Sequence, residues 1–568
     1  MRRRFQPKSR KQQELDAIYY AYGTNHEEDD SDWEEADENV STAAEYLPFF
    51  LKYGFALVLT VLAAVRQGPV FLLPCLMELL TIFCLSNRLL RMKHVWPGRI
   101  VNALLMLLYN AQVAVLVFGS TYITLVMLTN VDSLQDLSGK AVLYILSAVA
   151  ILVFSFWPVR SVRFPNIRVM AGALAVELAF TMFIGSIYSP LFDYCTVIQS
   201  YRDNQALKQK LEKLDVDPAT FEKKGINSYD TDESQKGKNI VLILTEGLSQ
   251  DIIDDDQNVM PNLKAYEGKS LNFTNYYNHT FATYRGIIGQ LYSGYQMENL
   301  DENHLVSIQQ LFQENGYTTS FINTEPKNAQ FSNYLDSMGF DDVVSDPNNT
   351  YSGQVDSLSD KEAYSTLFDT MEEKSKSGQP FFTAIYTFGT HLSFDSTDET
   401  FGDGSNALLN KFYNLDHQFG EFMKKFEKSD LADNTVIVFT TDHTTYIDDS
   451  YKSTFPELCT RPGNVGKIPL FIYYPGIKAE TVDVEGRNSI DMAPTVCDYM
   501  SISGKNYFLG ESLFSPTQNN NNYDTFFTDS EAKYKTAGGE LSKLSDSEAS
   551  IFDTNLQNYY ALKLVGAG

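Results

Sequence analysis

The chain has 568 residues and a formal net charge of -27, and its mean hydropathy of -0.22 averages over two unlike halves. That length exceeds one ordinary domain. The strong acidic balance, with no basic stripe to offset it, argues against a nucleic-acid partner, because phosphates repel such a surface. The five cysteines (Cys75, Cys84, Cys195, Cys459 and Cys497) form no CxxC and no zinc-ligand spacing, so cysteine chemistry is not central. A Cys459–Cys497 disulfide stays open, since sequence alone does not establish one.

The opening MRRRFQPKSRKQQ is basic but has no apolar core behind it, unlike a cleavable signal peptide. The acidic run 27–38 reads as disordered, and residues 1–45 as a largely disordered cytoplasmic segment. A membrane domain is expected over residues 46–188. Its five apolar stretches, 47–65, 70–85, 100–128, 141–159 and 169–188, approach the roughly 20 residues that a span needs. The third is long enough to tilt or to end in an interfacial helix. Basic residues gather in alternate loops: Arg88, Arg91, Lys93 and Arg99, then Arg160, Arg163 and Arg168. By the positive-inside rule the N-terminus is cytoplasmic and the chain after the fifth span is outside. Glu78 and Glu177 fall within spans; a carboxylate there is costly and either functional, paired or close to an interface.

Residues 189–237 read as a helical linker, with QALKQKLEKL as its helical part. Beyond it, over 238–568, come short apolar runs: NIVLIL (239–244), TTSFIN (318–323), FFTAIYT (381–387), NTVIVFT (434–440) and IPLFIYY (468–474). They are nearly continuous rather than alternating, and helix-like stretches such as 410–428 lie between them. This predicts an α/β domain with a sheet buried on both faces. QNNNNY (518–523) reads as a polar loop.

The residues that follow the strands carry the chemistry. NIVLIL leads into Thr245-Glu246-Gly247, FFTAIYT into Phe388-Gly389-Thr390-His391, and NTVIVFT into Thr441-Asp442-His443. Open α/β sheets bind ligands outside the carboxyl ends of their strands. Glu246, His391, Asp442 and His443 are therefore candidates to converge, and two carboxylates with an imidazole suit Mn2+, Zn2+ or Mg2+. Singly, each has a plainer reading: Glu246 as a helix N-terminal acid, Asp442-His443 as a turn, His391 as a surface histidine. His26 and His94 fall on the cytoplasmic side, and His304 and His417 on helix-like, solvated stretches. His279, four residues before Thr283, remains a possible substrate contact.

Several of these segments resemble the lipoteichoic acid synthase branch of the alkaline phosphatase/sulfatase superfamily. They are NIVLILTEGLS, TFATYRGIIGQLYSGY (280–295), TFGTHLSF (387–394), FTTDHTTY (439–446), IPLFIYYPG (468–476), SIDMAPTVCDYM (489–500) and FLGESLF (508–514). The resemblance implies a five-helix transmembrane domain plus an extracellular catalytic α/β domain of alkaline phosphatase/sulfatase type with a mostly parallel central sheet. It implies Glu246, Asp442 and His443 as metal ligands. Thr283 would be the nucleophile, also touching the metal, and His391, Lys327 and Arg285 would lie on the substrate side. The metal of that branch is typically manganese, with magnesium or zinc as alternatives. Thr280 competes with Thr283, which the spacing to Ser293-Gly294 favours. Either threonine also reads as a helix N-cap, compatible with a phosphate at a helix N-terminus.

Two departures stand out. The stretch Thr283-Tyr284-Arg285-Gly286 lacks the C/S-x-P-x-R signature of formylglycine sulfatases. The segment 323–342 lacks the Trp and Arg that such synthases hold against glycerol phosphate, leaving Lys327 and Phe331 as substitutes. The implied activity is transfer of glycerol phosphate from phosphatidylglycerol, through a covalent threonine, to a lipoteichoic acid chain or other surface glycan. Phosphoethanolamine transfer, phosphodiester hydrolysis or a non-catalytic partner are the alternatives. The expected location is a bacterial plasma membrane.

Overall fold

In a computed structural model the described residues are 31–118, 122–124, 127–128, 141–184, 187–225, 235–296, 303–515, 523–528, 532–538 and 541–566. The first 30 residues of the N-terminal segment, residues 226–234 of the linker and residues 518–522 of the polar loop lie outside them. The chain divides into two compact units, Met1–Leu125 with Leu143–Ser200, and Val126–Val142 with Tyr201–Gly568.

The first unit is helical: α1 (Ser31–Gln67), α2 (Leu72–Leu90), α3 (Trp96–Phe118), α4 (Ala141–Phe156), α5 (Asn166–Ile184) and the start of α6 (Pro190–Leu211). Among the described residues, four segments are long and apolar enough to cross a membrane: Glu45–Gln67, Pro69–Leu90, Trp96–Phe118 and Asn166–Ile184. The fourth expected span, 141–159, forms α4, which has only 16 residues. At about 1.5 Å per residue it is about 24 Å long, short of the roughly 30 Å of a hydrocarbon core. The third expected span, 100–128, is described as α3 up to Phe118; its residues 119–121, 125 and 126 lie outside the described residues.

The outer faces of these helices carry exposed Ile145, Met182 and Phe183. Several of their polar side chains pair with one another inside the unit, as an apolar solvent favours. Asn87 donates to Asn166 Oδ1 at 2.9 Å and Asn110 to Ser155 Oγ at 3.0 Å. Glu78 Oε2 accepts the Leu191 N–H at 2.8 Å, and Glu177 accepts the Ser189 hydroxyl. Both intramembrane carboxylates thus engage the first residues around the start of α6.

In the second unit the apolar runs become strands because their side chains find a hydrophobic layer on each side. Among the described residues the main sheet has eight strands: β1 (Asn239–Thr245), β2 (Leu271–Thr274), β3 (Thr318–Ile322), β4 (Asp342–Val344), β5 (Phe381–Thr387), β6 (Thr435–Thr441), β7 (Leu470–Tyr473) and β8 (Glu480–Asp483). Their order is β4-β3-β5-β1-β6-β7-β2-β8. Pairing is parallel except where β7 meets β6 and β2.

Alternate residues of each central strand serve opposite layers. Ile240, Leu242, Leu244, Phe382, Val436 and Val438 pack with helices α8 (Thr283–Leu291), α9 (Ile308–Glu314) and α13 (Met492–Tyr499). Val241, Ile243, Phe381, Ile385, Ile437 and Phe439 pack with α7 (Pro261–Glu267), α11 (Asp360–Ser375) and α12 (Ala407–Glu427). Helix α10 (Ala329–Asp336) follows β3, and the C-terminal α14 (Asp546–Val565) buries Phe552, Leu556 and Tyr559 against Leu211, Tyr295 and Leu509. All five cysteines are free thiols, including Cys459 and Cys497.

Phe419 of α12 is fully buried, with its ring 5.2 Å from Phe439 and 5.5 Å from Tyr266. Phe419→Ala is expected to destabilise the second unit by about 3–5 kcal/mol, read as a shift of the denaturant midpoint in detergent.

Candidate functional site

Strand register brings the distant residues together. Thr245 lies opposite Thr387 of β5 and Thr441 of β6, so three strands end level. The ladder runs on past the ends: Glu246 N–H donates to Thr387 O at 3.0 Å and Asp442 N–H to Thr245 O at 3.1 Å. Glu246 and Asp442-His443 therefore emerge side by side at the carboxyl edge. Their ligand atoms lie within 4.8 Å of one another, all three residues being buried.

Each side chain is aimed by its neighbours. Asp442 Oδ1 accepts the Gly247 and His443 N–H groups at 2.8 and 2.6 Å, whereas its Oδ2 is buried without a partner. His443 Nδ1 lies 2.7 Å from the Thr444 carbonyl, which makes it the protonated nitrogen and leaves Nε2 as the lone-pair donor. Nε2 sits 3.5 Å from both Glu246 Oε1 and Asp442 Oδ2. Gly247 turns the chain with φ +49°, the left-handed region that glycine enters without strain. A buried, unpartnered carboxylate oxygen beside a second carboxylate and an imidazole lone pair is the donor set of a divalent cation. The residues present fit such an ion.

The charges show the same need. Burial alone would raise Glu246, but His443 and His391 and the hydrogen bonds from Tyr386 and Thr283 hold it below the usual carboxylate value. For Asp442, burial outweighs the pull of His443, and with Glu246 adding repulsion it is pushed up to about 7. Burial opposes a charge on His443, yet Asp442 and Glu246 overcome this and raise it. Two adjacent buried carboxylates attract a positive charge, and without a metal a proton takes that place.

Thr283 is the first residue of α8. Its hydroxyl donates to Glu246 Oε2 at 3.0 Å. Gly286, one turn on, lets the helix press against β6: a Cβ there would stand 2.4 Å from the Asp442 carbonyl oxygen. Ala282, just before Thr283, holds φ +80°, a strained value for a residue with a Cβ. Thr280 instead commits its hydroxyl to the Phe527 carbonyl at 2.8 Å and is buried. His279 is also buried, 2.6 Å from Ser489 Oγ, and burial pushes it down to about 3.

The remaining expected residues divide. His391 lies after β5, between the rings of Phe388 and Phe394 at 4.9 and 5.1 Å, and it feels the charge of Glu246. Arg285 is buried on α8. Lys327 is ion-paired with Asp356. Phe331 is fully buried, 5.7 Å from the rings of Tyr284 and Tyr386. One residue escaped the sequence reading: Tyr386 of β5, whose hydroxyl donates to Glu246 Oε2. A tyrosine in the otherwise apolar FFTAIYT was the available signal, since a buried phenol needs an acceptor.

The loop carrying His391 is strapped to α12 by a buried polar seam. Lys411 Nζ donates to the His391 carbonyl at 3.0 Å. Asn410 Nδ2 donates to Asp395 Oδ1 at 3.0 Å, while Asn410 and Asn414 accept the N–H groups of Phe401 and Glu399. Asp360 abuts Gly389 and accepts from Asn414 Nδ2 at 3.0 Å.

The level strand ends and the Glu-Asp-His cluster define a sulfatase-type α/β metal-site domain. Residues 238–502 match the Sulfatase family model. The chain is 23% identical over 367 residues to lipoteichoic acid synthase 2 of Bacillus subtilis (57% of this chain, 56% of the relative). It is 25% identical over 344 residues to phosphoglycerol transferase I of Xanthomonas euvesicatoria (54% of this chain, 46% of the relative). It thus spans about half the length of the curated relatives it matches. Its fold is also that of the integral membrane lipooligosaccharide phosphoethanolamine transferase A of Neisseria meningitidis, with TM-score 0.51 and 14% identity over 80% of this chain and 94% of that one.

Two outcomes are expected. Tyr386→Phe, which strips a hydrogen bond from Glu246, should weaken divalent-cation affinity about 10–100-fold in calorimetric titration, with the melting temperature of the metal-free protein little changed. Burial pushes Asp360 up to about 7 from an ordinary 3.8, so the folded state keeps a proton that the unfolded chain has released. Its contribution to stability is greatest below that lower value and is lost as pH rises towards about 7. Thermal melts of Asp360→Asn should lack that slope.

Proposed function

We propose that the protein is a membrane-anchored, metal-dependent phosphoglycerol transferase working through a covalent threonine intermediate. The observation that carries this is the Thr283 hydroxyl, 3.0 Å from Glu246 Oε2 and at the N-terminus of α8. Glu246, Asp442 and His443 would hold the cation, with Thr283 beside them. Mn2+ is the first choice and Mg2+ or Zn2+ the alternatives. When bound, the cation lowers the pKa of the threonine hydroxyl and neutralises phosphate charge.

The Thr283 oxygen attacks the phosphorus of phosphatidylglycerol in line. The P–O bond to diacylglycerol breaks, and the departing oxygen takes up a proton. A phosphoglycerol group remains on Thr283, at the N-terminus of α8, where the helix dipole favours a negative charge. A hydroxyl on a lipoteichoic acid chain or other surface glycan then attacks the same phosphorus, gives up its proton and restores the threonine. His391, flanked by Phe388 and Phe394, lies on the substrate side, together with Arg285 and Lys327. The relatives named lipoteichoic acid synthase and phosphoglycerol transferase support this reading.

The domain plan that goes with it is a cytoplasmic segment (1–45), a membrane domain (46–188), a helical linker (189–237) and an extracellular catalytic domain (238–568). The basic loops around Arg91 and Arg163 call for an odd number of crossings. On this plan the short α4 would serve as the fifth crossing beside the four full-length helices.

Phosphoethanolamine transfer is the second reading. It is favoured by the segment 323–342, where Phe331 is buried against tyrosines and Lys327 is tied to Asp356, leaving the head group less constrained. Mass spectrometry of protein exposed to lipid separates the two. A phosphoglycerol adduct on Thr283 is expected, absent in Thr283→Ala, which should also lose turnover of fluorescent phosphatidylglycerol. A phosphoethanolamine adduct would replace the first reading with the second, and full turnover by Thr283→Ala would end the covalent scheme.

A further inference from the structure

Helix α12 buries a lysine where an apolar residue would cost less. Lys411 is only 4% exposed, and an ammonium removed from water is expensive unless it is paired. Burial pulls it down to about 8, and the carboxylates of Asp448, Glu246 and Asp395 partly offset that. Its Nζ meets the main-chain carbonyl of His391 at 3.0 Å. The same carbonyl accepts the Phe394 N–H at 3.1 Å, so both of its lone pairs are used. The His391 N–H in turn donates to the Phe388 carbonyl at 3.1 Å, and Nδ1 lies 3.1 Å from the Leu392 carbonyl. The turn also contains Ser393 at φ +73°, a conformation that needs outside support. Main chain, ring nitrogen and flanking aromatics are thereby all fixed, and the last tie comes from another element of the fold.

We propose that Lys411 is a positioning residue: its buried ammonium pins the His391 carbonyl and so sets the imidazole at the substrate side of the site. This rests on the transferase reading given above, in which His391 faces the substrate. The lysine touches no reacting atom in this scheme; it acts through His391. A neutral donor would hold the carbonyl, but a charged one makes a stronger hydrogen bond in a buried setting. The neighbouring asparagines serve the outer part of the same loop, at Asp395, Glu399 and Phe401. Lys411 alone of these reaches His391 itself.

The test uses the full chain in detergent micelles with phosphatidylglycerol and five variants: Lys411→Met, Lys411→Arg, His391→Ala, the Lys411→Met/His391→Ala double and Thr283→Ala. Lys411→Met should lower kcat/KM by about 100-fold, the scale of a misplaced group, with divalent-metal content and melting temperature kept. Lys411→Arg, which retains charge and donor, should recover most of it. In the His391→Ala background the methionine change should cost nothing further, since the two act as one unit. Hydrogen exchange of the 388–394 amides should quicken in Lys411→Met while exchange in β1 and β6 does not. Should the methionine variant not fold, Lys411→Leu, which also lacks a donor, takes its place in every arm. Full turnover by Lys411→Met, or a further loss in the double variant, would overturn the proposal; the latter would make the ammonium a direct substrate contact. Normal turnover by both Thr283→Ala and His391→Ala would instead overturn the transferase reading. The exchange measurement would still decide whether the lysine holds the loop.

Discussion

Everything at this site depends on one constraint, the level ending of three parallel strands. Thr387, Thr245 and Thr441 are hydrogen-bonded in register, and each chain leaves the sheet at the same height. A slip of one position would turn the side chains of a strand to the other face, taking Glu246 away from Asp442. The register is held by the cores on both faces, because Ile240, Leu242 and Leu244 belong to one layer and Val241 and Ile243 to the other. Hydrophobic burial across the whole sheet therefore sets the spacing of a few polar atoms at its edge.

Those polar atoms do not stabilise the fold by themselves. Two carboxylates and an imidazole lie buried together, with the Asp442 Oδ2 unpartnered. Around them, groups of the fold orient each ligand: Tyr386 and Thr283 on Glu246, the Gly247 and His443 amides on Asp442, the Thr444 carbonyl on His443. The arrangement suits a divalent cation, and the Thr283 hydroxyl lies beside it, donating to Glu246. Local strain at Ala282 fits a pattern in which unfavourable backbone is tolerated where geometry matters.

The parts of this structure that were legible in the sequence are those where one signal dominates. Runs such as NIVLIL and FFTAIYT announce central strands, because burial on both faces leaves no polar position, and β1 and β5 lie almost where those runs do. The polar residues just past them stood out by contrast, and so Glu246, Asp442, His443 and His391 were visible as candidates. The short strands β2, β4 and β8 were not, since three or four residues are too few to establish a period. Tyr386 was hidden by its apolar neighbours, and Lys411 by its place in a helix-like stretch away from the strand ends. In the membrane unit, hydropathy marked the apolar stretches well, although the stretch 141–159 forms a helix of only 16 residues.

The contact between Gly286 and the Asp442 carbonyl has a consequence for how this chain tolerates change. Thr283 and Glu246 are neighbours because α8 presses directly on the end of β6, not because of the chain that runs between them. That intervening stretch passes through α7, β2 and surface turns before it returns. Residues added or removed in its turns would be taken up at the surface, and the hydroxyl would still meet the carboxylate. Chain length between the two is free to drift, whereas a single methyl group on residue 286 would push them apart.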